Sequence, residues 1–135
     1  GGLIMITVGQ GAILWVHNFE TMKHFYLETL QLQLVEGQDF EGWVQFALGD
    51  GTFSLHAIPA EYAVNNDLDE PAHPKWDSAV KCVFYVEDFE TSVKALIEKN
   101  VRLVQDDFIQ YGYADFMDPE GNVFQIAIKT AGSNP

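Results

Sequence analysis

Val16-His17-Asn18-Phe19-Glu20-Thr21 and Val86-Glu87-Asp88-Phe89-Glu90-Thr91 are one phrase written twice, 70 residues apart. Carried outward at the same offset, Glu28 falls on Glu98, Gly42 on Gly112, Phe46 on Phe116 and Gly51 on Gly121. Residues 11–58 and 81–128 share ten identical pairs in 48 positions, several of them at turns and element boundaries. Self-similarity of this kind marks a duplicated supersecondary unit.

Each half reads as strand, helix and three strands. Ile13–Val16 and Cys82–Val86 are short β-rich runs. A helix then opens at Asn18 or Asp88, both good N-cap types, with Glu20 or Glu90 placed to favour the positive end of the helix dipole. Phe89, Val93, Leu96 and Ile97 form a one-faced apolar stripe, and Asn100 suits the left-handed turn that ends it. Phe19, Met22, Phe25, Tyr26 and Leu30 give the first helix a broader stripe. Strands are expected at 33–36, 43–48 and 53–58, then at 102–105, 113–117 and 123–128. Gly49-Asp50-Gly51 and Asp118-Pro119-Glu120-Gly121-Asn122 are the turns before the last strand of each half. The organisation expected is one α+β domain over 1–135: a βαβββ module at 11–58, a connecting loop at 59–78 and a second module at 79–128. The loop carries Asn65, Asn66, Pro71, Pro74 and several acids, and loops of that length are often functional.

Composition narrows the function. A 47% hydrophobic and 20% charged chain is neither disordered nor membrane-like, and no apolar run reaches the roughly 20 residues of a membrane helix. Gly1-Gly2-Leu3-Ile4-Met5 has no basic region and no cleavage site, so no signal peptide is expected; Met5 is an alternative natural start. The lone Cys82 excludes a disulfide framework and a CxxC site, which makes the cytoplasm the default location. A net charge of −13 argues against nucleic acid as a partner and would draw cations, although solubility alone also accounts for it.

The opening Val16-His17-Asn18-Phe19-Glu20 leading to Phe25-Tyr26, and Tyr111-Gly112 followed by Phe116-Met117-Asp118-Pro119-Glu120-Gly121-Asn122-Val123-Phe124-Gln125, resemble the patterns of the vicinal oxygen chelate superfamily, the glyoxalase/bleomycin-resistance/dioxygenase fold. The resemblance covers roughly residues 11 to 128 and implies curved mixed sheets around a cavity, with the helices on the outer face. Fold leaves chemistry open, because this superfamily holds lyases, dioxygenases and plain binders.

Strand alternation assigns the inward faces. The helix side must be apolar, which selects Ala12, Leu14 and Val16; Phe53, Leu55 and Ala57; Cys82, Phe84 and Val86; and Phe124, Ile126 and Ile128. Cavity residues are then Gly11, Ile13 and Trp15; Ser54, His56 and Ile58; Lys81, Val83 and Tyr85; and Val123, Gln125 and Ala127, with a one-residue slip in the fourth strand. The superfamily's four metal-ligand positions fall on Gly11, Ser54, Lys81 and Gln125, of which only Gln125 is a credible ligand. The expectation is therefore no metal, no cofactor and no catalytic residue. His56 lies two positions from Ser54; one histidine and one amide are still short of the three ligands of catalytic zinc. His17, His24 and His73 read as surface residues.

The expected lining is aromatic and sparsely polar, as in small-molecule pockets. Trp15, Trp43, Tyr85 and Tyr113 supply ring faces, and Ser54, His56, Lys81, Asp115 and Gln125, with Gln45, supply hydrogen-bonding groups. The same rings could equally fill a barrel or a dimer interface. An inward Lys81 requires a partner, for which Asp115 or an anionic ligand group is the candidate. Cys82 reads as a small hydrophobe. The preferred reading is a metal-independent binder of the bleomycin-resistance type, holding a cationic or aromatic antibiotic-like molecule, with the resemblance implying a homodimer. The alternatives are a glyoxalase/dioxygenase-type enzyme whose altered metal site uses His56 and Gln125, and a dimerisation or sensor module with a collapsed cavity.

Overall fold

The computed structural model describes residues 2, 4, 5, 8–63 and 71–129; the 64–70 part of the expected connecting loop, with Asn65 and Asn66, lies outside them. The fold is α+β, built as two tandem βαβββ modules, each with its own open, mixed four-stranded sheet. The chain divides into two compact units, Gly1–Asp67 and Leu68–Pro135.

In the first unit, β1 (Gly11–Val16) leads to α1 (Phe19–His24), a π-helical turn Phe25–Thr29, and then β2 (Gln33–Phe40), β3 (Trp43–Leu48) and β4 (Gly51–Ala57). The strand order is β1-β4-β3-β2, with β1 parallel to β4 and the other pairs antiparallel. Asn18 stands at the helix start as expected, but its side chain makes no capping hydrogen bond. The expected continuous helix instead widens into the π turn, which brings adjacent Phe25 and Tyr26 both into the core. β2 runs four residues past its expected end, with a register shift between Leu34 and Asp39.

The second unit repeats this with β5 (Cys82–Val86), α2 (Phe89–Glu98), β6 (Arg102–Gln105), β7 (Tyr113–Met117) and β8 (Val123–Ile128), in the order β5-β8-β7-β6. Asp88 accepts the Thr91 amide at 3.1 Å as a true N-cap. Asn100 ends the helix at φ 62°, the left-handed conformation that asparagine tolerates. Phe89, Val93 and Leu96 are buried, each contributing on the order of 1.5–3 kcal/mol by leaving water.

Alternation sorts each sheet into two faces. In the first unit Val16, Val44, Phe46, Phe53 and Leu55 are buried with Met22 and Tyr26 of the helical segment. In the second, Phe84, Phe116, Phe124 and Ile126 play the same part. Phe46 stacks near Phe53 at 6.4 Å, and Phe116 near Phe124 at 6.1 Å, both at an interplanar angle of 21°. The one-residue slip is real. Ile13 pairs with Ser54 and Val83 with Gln125, an offset of 70 on the first strand and 71 on the last. Its origin is the turn: Ala47 and Thr52 enclose four residues, whereas the equivalent Met117 and Val123 enclose five.

Those five are Asp118 to Asn122. Asp118 is buried, and its Oδ1 accepts the Glu120 amide at 2.9 Å, the Asn122 amide at 3.0 Å and Asn122 Nδ2 at 3.1 Å. Gly121 has φ +88°, and a Cβ there would lie 2.2 Å from the His73 carbonyl oxygen, so only glycine fits.

Candidate functional site

The face of each sheet away from its buried core is a grid of cross-strand rows. In the first unit the rows are Trp43–His56–Trp15, Gln45–Ser54–Ile13 and Ala47–Thr52–Gly11. In the second they are Tyr113–Ala127–Tyr85 and Asp115–Gln125–Val83, with Lys81 just before β5. Eight of the nine expected site residues stand on these rows, and Lys81 reaches Asp115 from the strand's approach.

The first row of unit one is an aromatic array. The Trp15 and His56 ring centroids are 4.3 Å apart at 34°, and Trp43 meets His56 edge-on at 5.8 Å and 82°. Phe40 continues the row, stacked near Trp43 at 6.4 Å and 24°. Trp43 is held by its own indole N–H, which donates to Gln38 Oε1 at 2.9 Å. Trp15 and Phe40 are nonetheless more than half exposed, at 53% and 57%. Apolar rings turned to water on a fixed strand scaffold are a surface that awaits cover. Phe40 and Gln38 lie in the extension of β2 and were not singled out from the sequence.

His56 Nδ1 lies 2.8 Å from the Ala57 carbonyl oxygen. A carbonyl only accepts, so Nδ1 carries a proton, and of the two neutral tautomers this geometry selects the one with its lone pair on Nε2. In the row beneath, Gln45 Nε2 donates to the buried Ser54 Oγ at 3.2 Å.

The second unit's grid is ionic where the first is aromatic. Lys81 Nζ lies 3.1 Å from Asp115 Oδ2 and 3.4 Å from Oδ1, and Gln125 Nε2 donates to the same Oδ1 at 3.2 Å. The expected partner of Lys81 is present, but the burial is reversed: the lysine side chain is 41% exposed and the aspartate 8%. The aspartate, seated mid-strand, is the group that needs the ion pair, while the long lysine stem carries its charge outward. Tyr85 and Tyr113 are exposed on the same face, and Lys129 Nζ lies 6.0 Å from the Tyr85 ring centre.

The remaining expectations divide. His24 and His73 are exposed, but His17 is half-buried, because it directly follows the fully buried Val16 at the strand end. Cys82 is half-buried on the helix side, and burial, followed by the nearby Asp118 carboxylate, pushes its thiol above the ordinary value. One feature had no sequence signal: a shallow groove of about 500 Å³ where α2 begins, lined by Glu87, Asp88, Glu90, Tyr111 and Ile128 among others.

The metal-ligand positions implied by the fold do not suit a metal. Gly11 has no donor, and a Cβ there would lie 2.5 Å from Thr52 Oγ1, so a longer side chain needs Thr52 to move. Ser54 is buried and bonded to Gln45, and Lys81 brings a positive charge; Gln125 donates its Nε2 to Asp115, which leaves its Oε1 as the one credible donor of the four and too few for a metal. Among the described residues no three His, Cys, Asp or Glu side chains converge on a metal-sized centre.

No family model and no curated protein matches the chain. Solved structures do. The antibiotic binding protein TnmS3 from Streptomyces sp. CB03234 is 21% identical, with 95% of this chain and 100% of that one covered at a TM-score of 0.66. A glyoxalase/bleomycin resistance protein from the same organism is 21% identical over 90% and 99% of the two chains, at a TM-score of 0.61. A glyoxalase/dioxygenase from Nostoc punctiforme is 14% identical over 97% and 99%, at a TM-score of 0.69. Likeness at this level of identity carries fold and not activity. The chain has the fold of the vicinal oxygen chelate superfamily, the glyoxalase/bleomycin-resistance/dioxygenase fold.

Proposed function

We propose that this protein is a metal-independent small-molecule binding protein that holds a planar aromatic, preferentially cationic, ligand against the open face of its first sheet. The observation that carries this reading is the row Trp15–His56–Trp43, three rings on one scaffold with Trp15 more than half exposed. Indole faces attract flat rings through dispersion and cations through the ring quadrupole. The charge of −13 raises the local concentration of a cationic ligand. The unsuitable metal-ligand positions remove the usual route to lyase or dioxygenase chemistry in this fold, and the likeness to an antibiotic binding protein agrees with sequestration as the role. On this reading the tyrosine-bearing face of the second unit is a further contact surface. The protein is a homodimer in the cytoplasm, the location supported by its single cysteine.

The test is elemental analysis of chelator-treated protein beside thermal denaturation with the planar cation acridine orange. Negligible divalent metal and a rise in melting temperature on adding the dye support the reading. One tightly held metal per chain, with no response to the dye, supports the enzyme that uses His56 and Gln125 instead.

A further inference from the structure

We infer that His56 makes this site selective for planar aromatic ligands that carry a hydrogen-bond donor, a ring hydroxyl or ring N–H, at their edge. The inference rests on the proposed binding role of the open face and adds the class of molecule it takes.

Three observations meet at this residue. The Ala57 carbonyl, 2.8 Å from Nδ1, fixes the tautomer and leaves Nε2 as an acceptor. Among the described residues Nε2 has no protein partner, and it is not among the buried atoms left without one, so it is open to solvent. The ring that carries it is flanked by Trp15 at 4.3 Å and Trp43 at 5.8 Å. The two ring nitrogens point in widely different directions, so with Nδ1 on a backbone carbonyl the Nε2 lone pair is directed away from that carbonyl, where a donor on a flat ligand laid over the row can reach it. A ligand without a donor covers Nε2 and strips its water without replacing that hydrogen bond. Leaving a polar atom dry in this way costs affinity, which turns the acceptor into a filter.

The second unit provides an internal contrast. The row Tyr113–Ala127–Tyr85 matches Trp43–His56–Trp15 in its outer rings, but alanine occupies the centre. Both rows offer aromatic faces, and only the first offers an acceptor between them. The filter belongs to His56 and not to aromatic rows of this fold in general.

The experiment is a titration of the intact protein, followed by tryptophan fluorescence quenching, with 2-naphthol and with 2-methoxynaphthalene, which lacks the donor and carries one added methyl group, whose hydrophobic contribution works against the expected preference. Wild type is expected to bind 2-naphthol about tenfold more tightly, the worth of one hydrogen bond. His56→Phe keeps a ring in the row and removes the acceptor, and it should bring the ratio to within about twofold of unity while methoxynaphthalene still binds. Equal wild-type affinities overturn the inference and leave the binding role standing, a result that does not depend on the variant folding. A tenfold preference that survives in His56→Phe also overturns it. If neither compound quenches the tryptophans, the binding role fails and the inference with it.

Discussion

Gln45 Nε2 donates to Ser54 Oγ at 3.2 Å, across β3 and β4 in the middle row of the first open face. In the second half the direction reverses: Gln125, the counterpart of Ser54, donates to Asp115, the counterpart of Gln45, also at 3.2 Å. Both halves therefore spend the same pair of positions on an internal hydrogen bond. In the second half the acceptor is a carboxylate, and Lys81 completes its neutralisation.

That asymmetry sets the energetics of the Lys81 pair. With Lys81→Ala, an almost buried carboxylate keeps only the Gln125 amide, and we expect a loss of about 1–2 kcal/mol. With Asp115→Asn as well, much of that loss should return, giving a coupling of about 0.5–1.5 kcal/mol in a urea-denaturation double-mutant cycle. The half-exposed lysine keeps the figure modest. Additive losses would show that the ion pair is ornamental.

Asp118 is expected to matter more. Its Oδ1 accepts two backbone amides and the Asn122 side chain within one turn, so Asp118→Ala leaves one buried and two part-buried donor groups without this acceptor. We expect about 2–4 kcal/mol of destabilisation in chemical denaturation. Gly121→Ala should be comparably damaging, since it combines a left-handed φ with a clash against the His73 carbonyl. A Gly121→Ala protein with unchanged stability would contradict the turn geometry.

Cys82 gives a pH-dependent prediction. Burial first, and the Asp118 carboxylate second, hold its thiol above the ordinary value of 9.0. The folded protein then binds this proton more tightly than the unfolded chain does. The associated stability is complete below the unfolded value and is lost as pH rises toward the folded one. Wild type should lose stability relative to Cys82→Ala as pH rises past the ordinary thiol value of 9.0. Alkylation by iodoacetamide at pH 8 should be slow in the native protein and accelerate in urea. Equal rates in both conditions would contradict it.

Much of this fold was legible in the sequence because its two halves proofread each other. Five of the eight strands match their expected bounds, and the slip in the fourth strand followed from requiring Phe53, Leu55, Phe124 and Ile126 to face the core. Asp115 was one of two candidate partners for Lys81 in the sequence; the pair forms, but the buried member is the aspartate and not the lysine, which charge and alternation could not tell. Periodicity could not show the π turn, because a single added residue in a helical segment leaves the apolar stripe nearly intact. Gln38 and Phe40 were missed for a related reason: they sit beyond a register shift, where alternation no longer assigns a face. The tautomer of His56 was out of reach, as it depends on one backbone carbonyl whose direction is set by folding.

The central claim, a metal-free aromatic site on the first open face, is tested most directly by the indole N–H resonances. The chain has three tryptophans: Trp15 and Trp43 on the proposed site, and Trp76 in the exposed segment before β5. In chelator-treated, nitrogen-15-labelled protein titrated with acridine orange, the Trp15 and Trp43 resonances should shift saturably while Trp76 stays in place. Resonances assigned to Trp15 and Trp43 that stay still, or that move only after a divalent metal is added, would contradict the account.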